Sequence, residues 1–194
     1  MGHALTKPSL QEFLDWENQQ AERHEFHRGE VFAMVGARRI HNEVSGNVYV
    51  SLKQQLRGSP CRVFIESMKI KVGEATILYP DVFVTCDASD LKTQTIFTAP
   101  TVVVEVLSPS TQSYDRGSKF TFYRSLPSVR EYVLVDPETR EVQLFRRGID
   151  DLFTLHDLTG REQIRLESVG CELLATDVFD GVEPPEGHQA SLPI

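Results

Sequence analysis

Three residues stand at spacings that could do phosphate chemistry: Asp81, Glu105 and Lys119. Asp81 follows Pro80 at the start of an apolar run. Glu105 interrupts Thr101-Val-Val-Val-Glu-Val-Leu107, the most strand-like stretch in the chain. A lone ionised carboxylate in such a strand is costly to bury, so it calls for a cation, a basic partner or a proton. Lys119 comes fourteen residues after Glu105, early in the helix that follows, from where its ammonium can return to the same cleft. Two carboxylates from adjacent strands can hold a hard divalent cation such as magnesium. Such an ion lowers the pKa of a bound water and neutralises phosphate charge, and a nearby lysine can stabilise the charge that develops. The spacing equally permits a buried Glu105–Lys119 ion pair, with Asp81 capping a turn.

The elements that must position these groups follow from pattern. Ser9-Leu-Gln-Glu12 is a capping box opening a short helix that ends near Gln20, and 26–35 reads as a hairpin turning at Arg28-Gly29. Ile40, Val44, Val48, Leu52 and Leu56 recur every four residues, a long helix stopped by Gly58 and Pro60. Strands are expected over 61–72, 79–86, 101–107 and 129–135, with 87–100 a loop, a helix over 114–126 and a hairpin over 141–155. The unbroken apolar character of 101–107 marks a strand covered on both faces. Helix, three strands, helix, strand implies a mixed sheet with helices packed on it. The expected fold class is therefore α/β (α+β), as a single domain over 1–194. It comprises an N-terminal helix and hairpin (9–36), a core (38–136), and a C-terminal hairpin and tail (137–194), polar and frayed from Pro184 onward.

Composition bounds the function. The chain has 194 residues, 40% hydrophobic and 25% charged, a globular balance. No run approaches the roughly 20 apolar residues of a membrane helix, and the N-terminus lacks a signal-peptide core, so a cytoplasmic protein is expected. Cys61, Cys86 and Cys171 show no CxxC spacing, and reduced, buried thiols are the expectation. The net charge of −8 argues at first against a polyanionic partner, but its distribution is uneven. Residues 1–130 hold 15 basic and 14 acidic side chains, whereas 131–194 hold 5 and 14. Between Arg38 and Lys71 seven basic residues face two acidic ones, a balance suited either to phosphate or to an ordinary solvated face.

Several segments together resemble a known family: Gly29-Glu-Val-Phe-Ala-Met34, His41-Asn42, Tyr79-Pro-Asp-Val82, Val103-Val-Glu-Val-Leu-Ser-Pro-Ser-Thr111, Asp115-Arg-Gly-Ser-Lys119, Tyr123 and Arg130-Glu-Tyr-Val-Leu-Val-Asp136. They resemble the Uma-two family of the restriction-endonuclease-like, or PD-(D/E)XK, superfamily, over about residues 12–147. The resemblance implies a mixed central sheet flanked by helices, here with extra N- and C-terminal β-hairpins. It implies a Mg2+-dependent endonuclease acting on DNA, with Mn2+ as a substitute ion. Asp81 and Glu105 are the implied metal ligands, together with the backbone carbonyl of Val106. One departure matters: Leu107 stands two residues after the glutamate, where the superfamily usually has its lysine. The family places that lysine on the next helix, at the position of Lys119.

His41 is a further candidate, toward phosphate or beside the metal, or as a plain helix-cap residue. Arg116 is either a phosphate contact or an ion-pair partner, and Glu30 is a possible extra acid. Asp115 is expected to favour a helix N-terminus, and Glu131 to be structural. The principal alternative is a catalytically silent module on the same fold, binding nucleic acid or a protein partner. A serine or cysteine hydrolase fares worse: Ser108 and Ser110 flank Pro109 with no GxSxG context. A homodimer is expected if both DNA strands are cut.

Overall fold

The first helix is written in its own cap. The Ser9 hydroxyl accepts the Glu12 N–H at 3.3 Å, and the Glu12 carboxylate accepts the Ser9 N–H at 2.7 Å, so two otherwise orphaned donors are satisfied at the start of α1 (Leu10–Glu17). The computed structural model describes residues 7–34, 36 and 38–183; the expected frayed tail lies outside them. After α1 come the hairpin β1 (His24–His27) and β2 (Glu30–Ala33), then the long helix α2 (Arg39–Gln55). Strands β3 (Arg62–Ile65), β4 (Lys69–Val72), β5 (Thr76–Leu78), β6 (Val82–Thr85), β7 (Ile96–Phe97) and β8 (Pro100–Val106) follow. A helix over 112–124, α3, leads to β9 (Glu131–Val135). The chain then forms β10 (Val142–Arg147), β11 (Phe153–Asp157), β12 (Gln163–Leu166), β13 (Cys171–Leu174) and α4 (Ala175–Val178).

These strands make a six-stranded mixed sheet, β11-β10-β9-β8-β6-β3, a five-stranded sheet, β2-β1-β5-β4-β7, and the pair β12-β13. In the large sheet β8 and β9 run parallel, joined across α3. Alternation along β8 splits the core in two. Val102, Val104 and Val106 face Val44, Val48 and Leu52 of α2, with Ile164, Leu173 and Val178 completing that cluster. Val103 and Leu107 face the other way, into Ile70 and Phe97 of the smaller sheet and Tyr123 of α3. Helix α1 covers the smaller sheet by packing Phe13 against Phe26, Ile77 and Tyr79. The mixed central sheet between helix α2 on one side and α3 with a second sheet on the other matches the expected α+β class.

Four local expectations are corrected. The single strand over 61–72 is two strands in different sheets, because Glu66 and Ser67 take φ of 41° and 52° and turn the chain between β3 and β4. The strand over 79–86 is shorter, and β5, unread in the sequence, precedes it. The loop over 87–100 contains a 3-10 turn at Asp90–Lys92 and the short β7. There the buried Asp90 carboxylate accepts the Thr98 and Ala99 N–H groups at 2.8 and 2.9 Å. The β12-β13 hairpin and α4 were also unread; they close the α2 side of the core.

The cysteines differ as well. Cys61 and Cys86 flank the antiparallel register pair Arg62↔Thr85 and are joined by a disulfide, so only Cys171 is a free, buried thiol. The folded, unreduced protein should therefore show no thiol reactive to dithionitrobenzoate, and one after denaturation. Reduction should cost roughly 3.5 kcal/mol, the loop-closure value for cysteines 25 residues apart. Three thiols in the denatured, unreduced protein would contradict the pairing.

Candidate functional site

Strand register brings the two sequence-distant acids together. In the antiparallel β6–β8 pair Val82 stands opposite Val104, so Asp81, one residue before, meets Glu105, one residue after. The Asp81 N–H points at Glu105 Oε2 at 3.4 Å, and Asp81 Oδ2 accepts the Val106 N–H at 2.7 Å. Glu105 shares its strand face with Val103 and Leu107, the face covered by α3, and is 1% exposed. A lysine at position 107 would lie on that same face. Leu107 packs there instead, and α3 returns Lys119 to it.

Lys119 Nζ lies 3.2 Å from Glu105 Oε1, 3.4 Å from Glu25 Oε1 and 3.3 Å from Asp115 Oδ1. Asp115 and Lys119 bound a π turn at Asp115–Lys119 inside α3, a widened turn of the kind often found at functional sites. The Tyr132 hydroxyl of β9 anchors that turn by donating to the Asp115 carbonyl at 2.8 Å. Glu25 arrives from β1 and also accepts the Tyr79 N–H at 3.2 Å, two residues before Asp81.

Charge in the cluster is unbalanced: Glu25, Glu105 and Asp115 surround one ammonium, and Asp81 borders Glu105. Burial pushes the Glu105 carboxyl well above the usual carboxylate range; Lys119 pulls it down, and Asp81, Asp115 and Glu25 add to the rise. Asp115 is raised in the same way, by burial against the pull of Lys119. Burial alone would lower the Lys119 ammonium, but Glu105, Glu25 and Asp115 overcome it and hold it well above its ordinary value. Glu105 Oε1 and Asp115 Oδ1 are buried without a well-aligned hydrogen bond. One ammonium cannot balance the three carboxylates around it, so the cluster favours uptake of protons or of a further cation.

The cluster reaches solvent at Asp81 and His41, whose side chains are each 15% exposed. His41, in the first turn of α2, places Nε2 3.2 Å from Asp81 Oδ2. Burial lowers its imidazole, but the hydrogen bond and charge of Asp81, with Glu66 and Asp115 behind, leave it above its usual value. Asn42 beside it donates to Glu66 at 3.4 Å. Two surface concavities, of about 900 and 880 Å³, lie elsewhere, around Gln54 and Glu172 and around Arg140 and Arg161. The acid cluster lines neither.

Comparison with known proteins agrees with this architecture. The profile of the Uma2 family, described as "Putative restriction endonuclease", matches residues 10–176. The chain belongs to the Uma2 family. It is 34% identical over 177 residues to the uncharacterized protein slr1290 of Synechocystis sp., covering 91% of this chain and 93% of that one. A second uncharacterized Synechocystis protein, sll1609, is 31% identical over 152 residues, 77% of this chain and 86% of its own. Among solved structures, a putative nuclease belonging to DUF820 from Anabaena variabilis superposes with a TM-score of 0.75 at 18% identity. That match covers 91% of this chain and 99% of the other and shows the shared fold.

Of the residues singled out in this Uma2 sequence, Asp81, Glu105, Lys119 and His41 come together. Glu30 does not: it is exposed on β2, and its carboxylate takes Lys7 at 2.7 Å. The extra acid in the cluster is Glu25, five residues earlier. Nothing in the local pattern marks it, because consecutive Glu25 and Phe26 are both buried, between the half-buried His24 and His27. Arg116 is turned to Gln143 and Glu141 of the C-terminal region. Asp115 lies in the first turn of α3, as expected, with its carboxylate turned into the cluster. Glu131 is structural: fully buried, it accepts Arg146 at 2.9 Å and the Glu167 and Ser168 N–H groups at 3.0 and 3.1 Å. Within the basic stretch, Arg38 pairs with Glu138, Arg39 with Glu43 and Lys71 with Glu74, which removes much of its apparent surplus.

Lys119→Met would leave the carboxylates uncompensated and should cost about 3–5 kcal/mol near neutral pH. Without the ammonium, the Glu105 and Asp115 carboxyls, already raised by burial, rise still further above the unfolded value of about 4. The stability they contribute is present below that value and lost as pH rises through the folded range. Denaturant melts of this variant should therefore show a deficit, relative to wild type, that grows as pH rises above the ordinary carboxylate range. A deficit independent of pH would contradict the charge imbalance.

Proposed function

We propose that this Uma2 protein is a Mg2+-dependent endonuclease that hydrolyses DNA phosphodiester bonds, with Mn2+ able to substitute. The observation that carries the proposal is the meeting of Asp81 and Glu105 across the β6–β8 register, backed by a buried lysine and an excess of carboxylate. The donor set fits a hard divalent ion: oxygen ligands only, more anionic than their protein cations can balance. Asp81, Glu105 and the Val106 carbonyl would hold it, with solvent completing the shell, since among the described residues no three acid, histidine or cysteine side chains already form an ion cage. The ion, when bound, supplies Lewis acidity toward a water and the phosphate.

The chain's own groups do the rest. The Lys119 ammonium, fixed in the cleft, stabilises negative charge developing on the phosphate oxygens. Asp81 is held in orientation by the Val106 N–H and by His41. His41, at the solvent-facing edge, stands where a phosphate would approach. Arg116 and Glu30 take no part. Cutting both strands requires two such sites, and the β10–β11 hairpin exposes Leu152 and Leu155 for contact with a second copy.

The rival is a catalytically silent module that binds nucleic acid or protein. It is favoured by one observation: Lys119 already occupies Glu105 Oε1 at 3.2 Å. A plasmid-cleavage assay over a Mg2+ titration separates the two. Asp81→Asn and Glu105→Gln should abolish metal-dependent cleavage, and Lys119→Gln should reduce it roughly 10²–10³-fold, with thermal unfolding recorded beside each. Wild-type protein that neither cuts DNA nor binds Mn2+ at millimolar concentration would establish the silent module. Cleavage equal in wild type and all three variants would place the chemistry elsewhere.

A further inference from the structure

We infer that Glu25, outside the acid–acid–lysine set, is a positioning residue that holds Lys119 beside the metal site when Glu105 turns its charge to the ion. The inference rests on the metal-dependent reading above.

Glu25 is buried on β1 and makes two contacts that matter. Its Oε1 lies 3.4 Å from Lys119 Nζ and accepts the Tyr79 N–H at 3.2 Å. The second contact fixes Glu25 to the segment Tyr79-Pro80-Asp81, so one carboxylate oxygen links the lysine to the backbone that carries the first metal ligand. The strand holding Glu25 is itself tied down. The buried Glu17 of α1 accepts the His24 N–H at 3.0 Å and the Tyr79 hydroxyl at 2.8 Å, so α1, β1 and the approach to Asp81 form one hydrogen-bonded unit.

The physical need for Glu25 follows from competition. Lys119 and a divalent ion both want Glu105. If Glu105 were the sole anchor of the ammonium, each gain for the ion would cost Lys119 its place. Glu25 and Asp115 give the ammonium two other carboxylates at ion-pair distance. Lys119 can then yield Glu105 without leaving the cleft. Asp115 is on the same helix as Lys119 and moves with it. Glu25 comes from a separate sheet, and so it alone of the two fixes the ammonium relative to Asp81.

The test is Mn2+ titration calorimetry on the full chain, read beside thermal unfolding. Glu25→Gln should raise the Mn2+ dissociation constant roughly tenfold or more, the range for groups that orient metal-site residues. In a Lys119→Gln background the same substitution should have little effect, because the group it acts through is gone. Equal penalties in both backgrounds would mean that Glu25 acts on the ion directly and would overturn the inference. Should Lys119→Gln fail to fold, Glu25→Asp decides: it keeps the charge but withdraws the carboxylate by one methylene. Weakened binding like that of Glu25→Gln supports positioning by contact; affinity equal to wild type overturns it. Wild-type protein that binds no Mn2+ would overturn the metal reading itself, and this inference with it.

Discussion

A buried ammonium surrounded by carboxylates is the constraint on which the rest of this structure depends. Lys119 lies within 3.4 Å of acids from β1, β8 and its own helix, and none of those acids could be buried as an anion without it. The π turn in α3, the Tyr132 hydroxyl beneath it and the Glu25 contact across the sheets can each be understood as serving that arrangement. Removing a charge from such a cluster is far more damaging than its net contribution to stability would indicate, because the partners are left behind in a dry interior. The site and the fold are therefore not separable here: the groups proposed to do chemistry also join the two sheets.

The large sheet supplies the fixed frame. Its β6–β8 register sets Asp81 against Glu105 through backbone hydrogen bonds, which no side-chain rearrangement can shift by a residue without turning every valine of β8 to the wrong core. Along β8 the α2 side is apolar, with Val102, Val104 and Val106, whereas the opposite side carries the charge of Glu105. That asymmetry explains how a strand read as fully buried can hold a glutamate: one face packs and the other pairs. It also explains why the helix carrying Lys119 and the sheet carrying Glu25 lie on the same side.

Much of this was legible in the sequence, for identifiable reasons. The capping box at Ser9, the four-residue repeat of α2 and the apolar run of β8 are local signals, and local signals set those elements. The resemblance of the segments around Asp81, Glu105 and Lys119 to Uma2 proteins resolved Leu107, which by spacing alone reads as a missing lysine. Nonlocal features were not legible. The left-handed Glu66 and Ser67 carry no glycine to announce the turn between β3 and β4, and the 3-10 turn and β7 depend on Asp90 finding Thr98 and Ala99. The Cys61–Cys86 bond depends on strand pairing, which spacing of 25 residues does not reveal. Glu25 and Glu30 are both hairpin acids, and only the pairing of β1 with β5 decides which one enters the cleft.

The central claim is that Asp81 and Glu105 form one half of an ion site whose other charge is managed by Lys119. Anomalous diffraction from crystals soaked in Mn2+ tests it most directly. The account predicts one peak bridging the Asp81 and Glu105 carboxylates, about 2.0–2.2 Å from their oxygens as for a small hard cation, with the Lys119 ammonium still against Glu25 and Asp115. An empty map at millimolar Mn2+, with Lys119 still seated on Glu105, would contradict it.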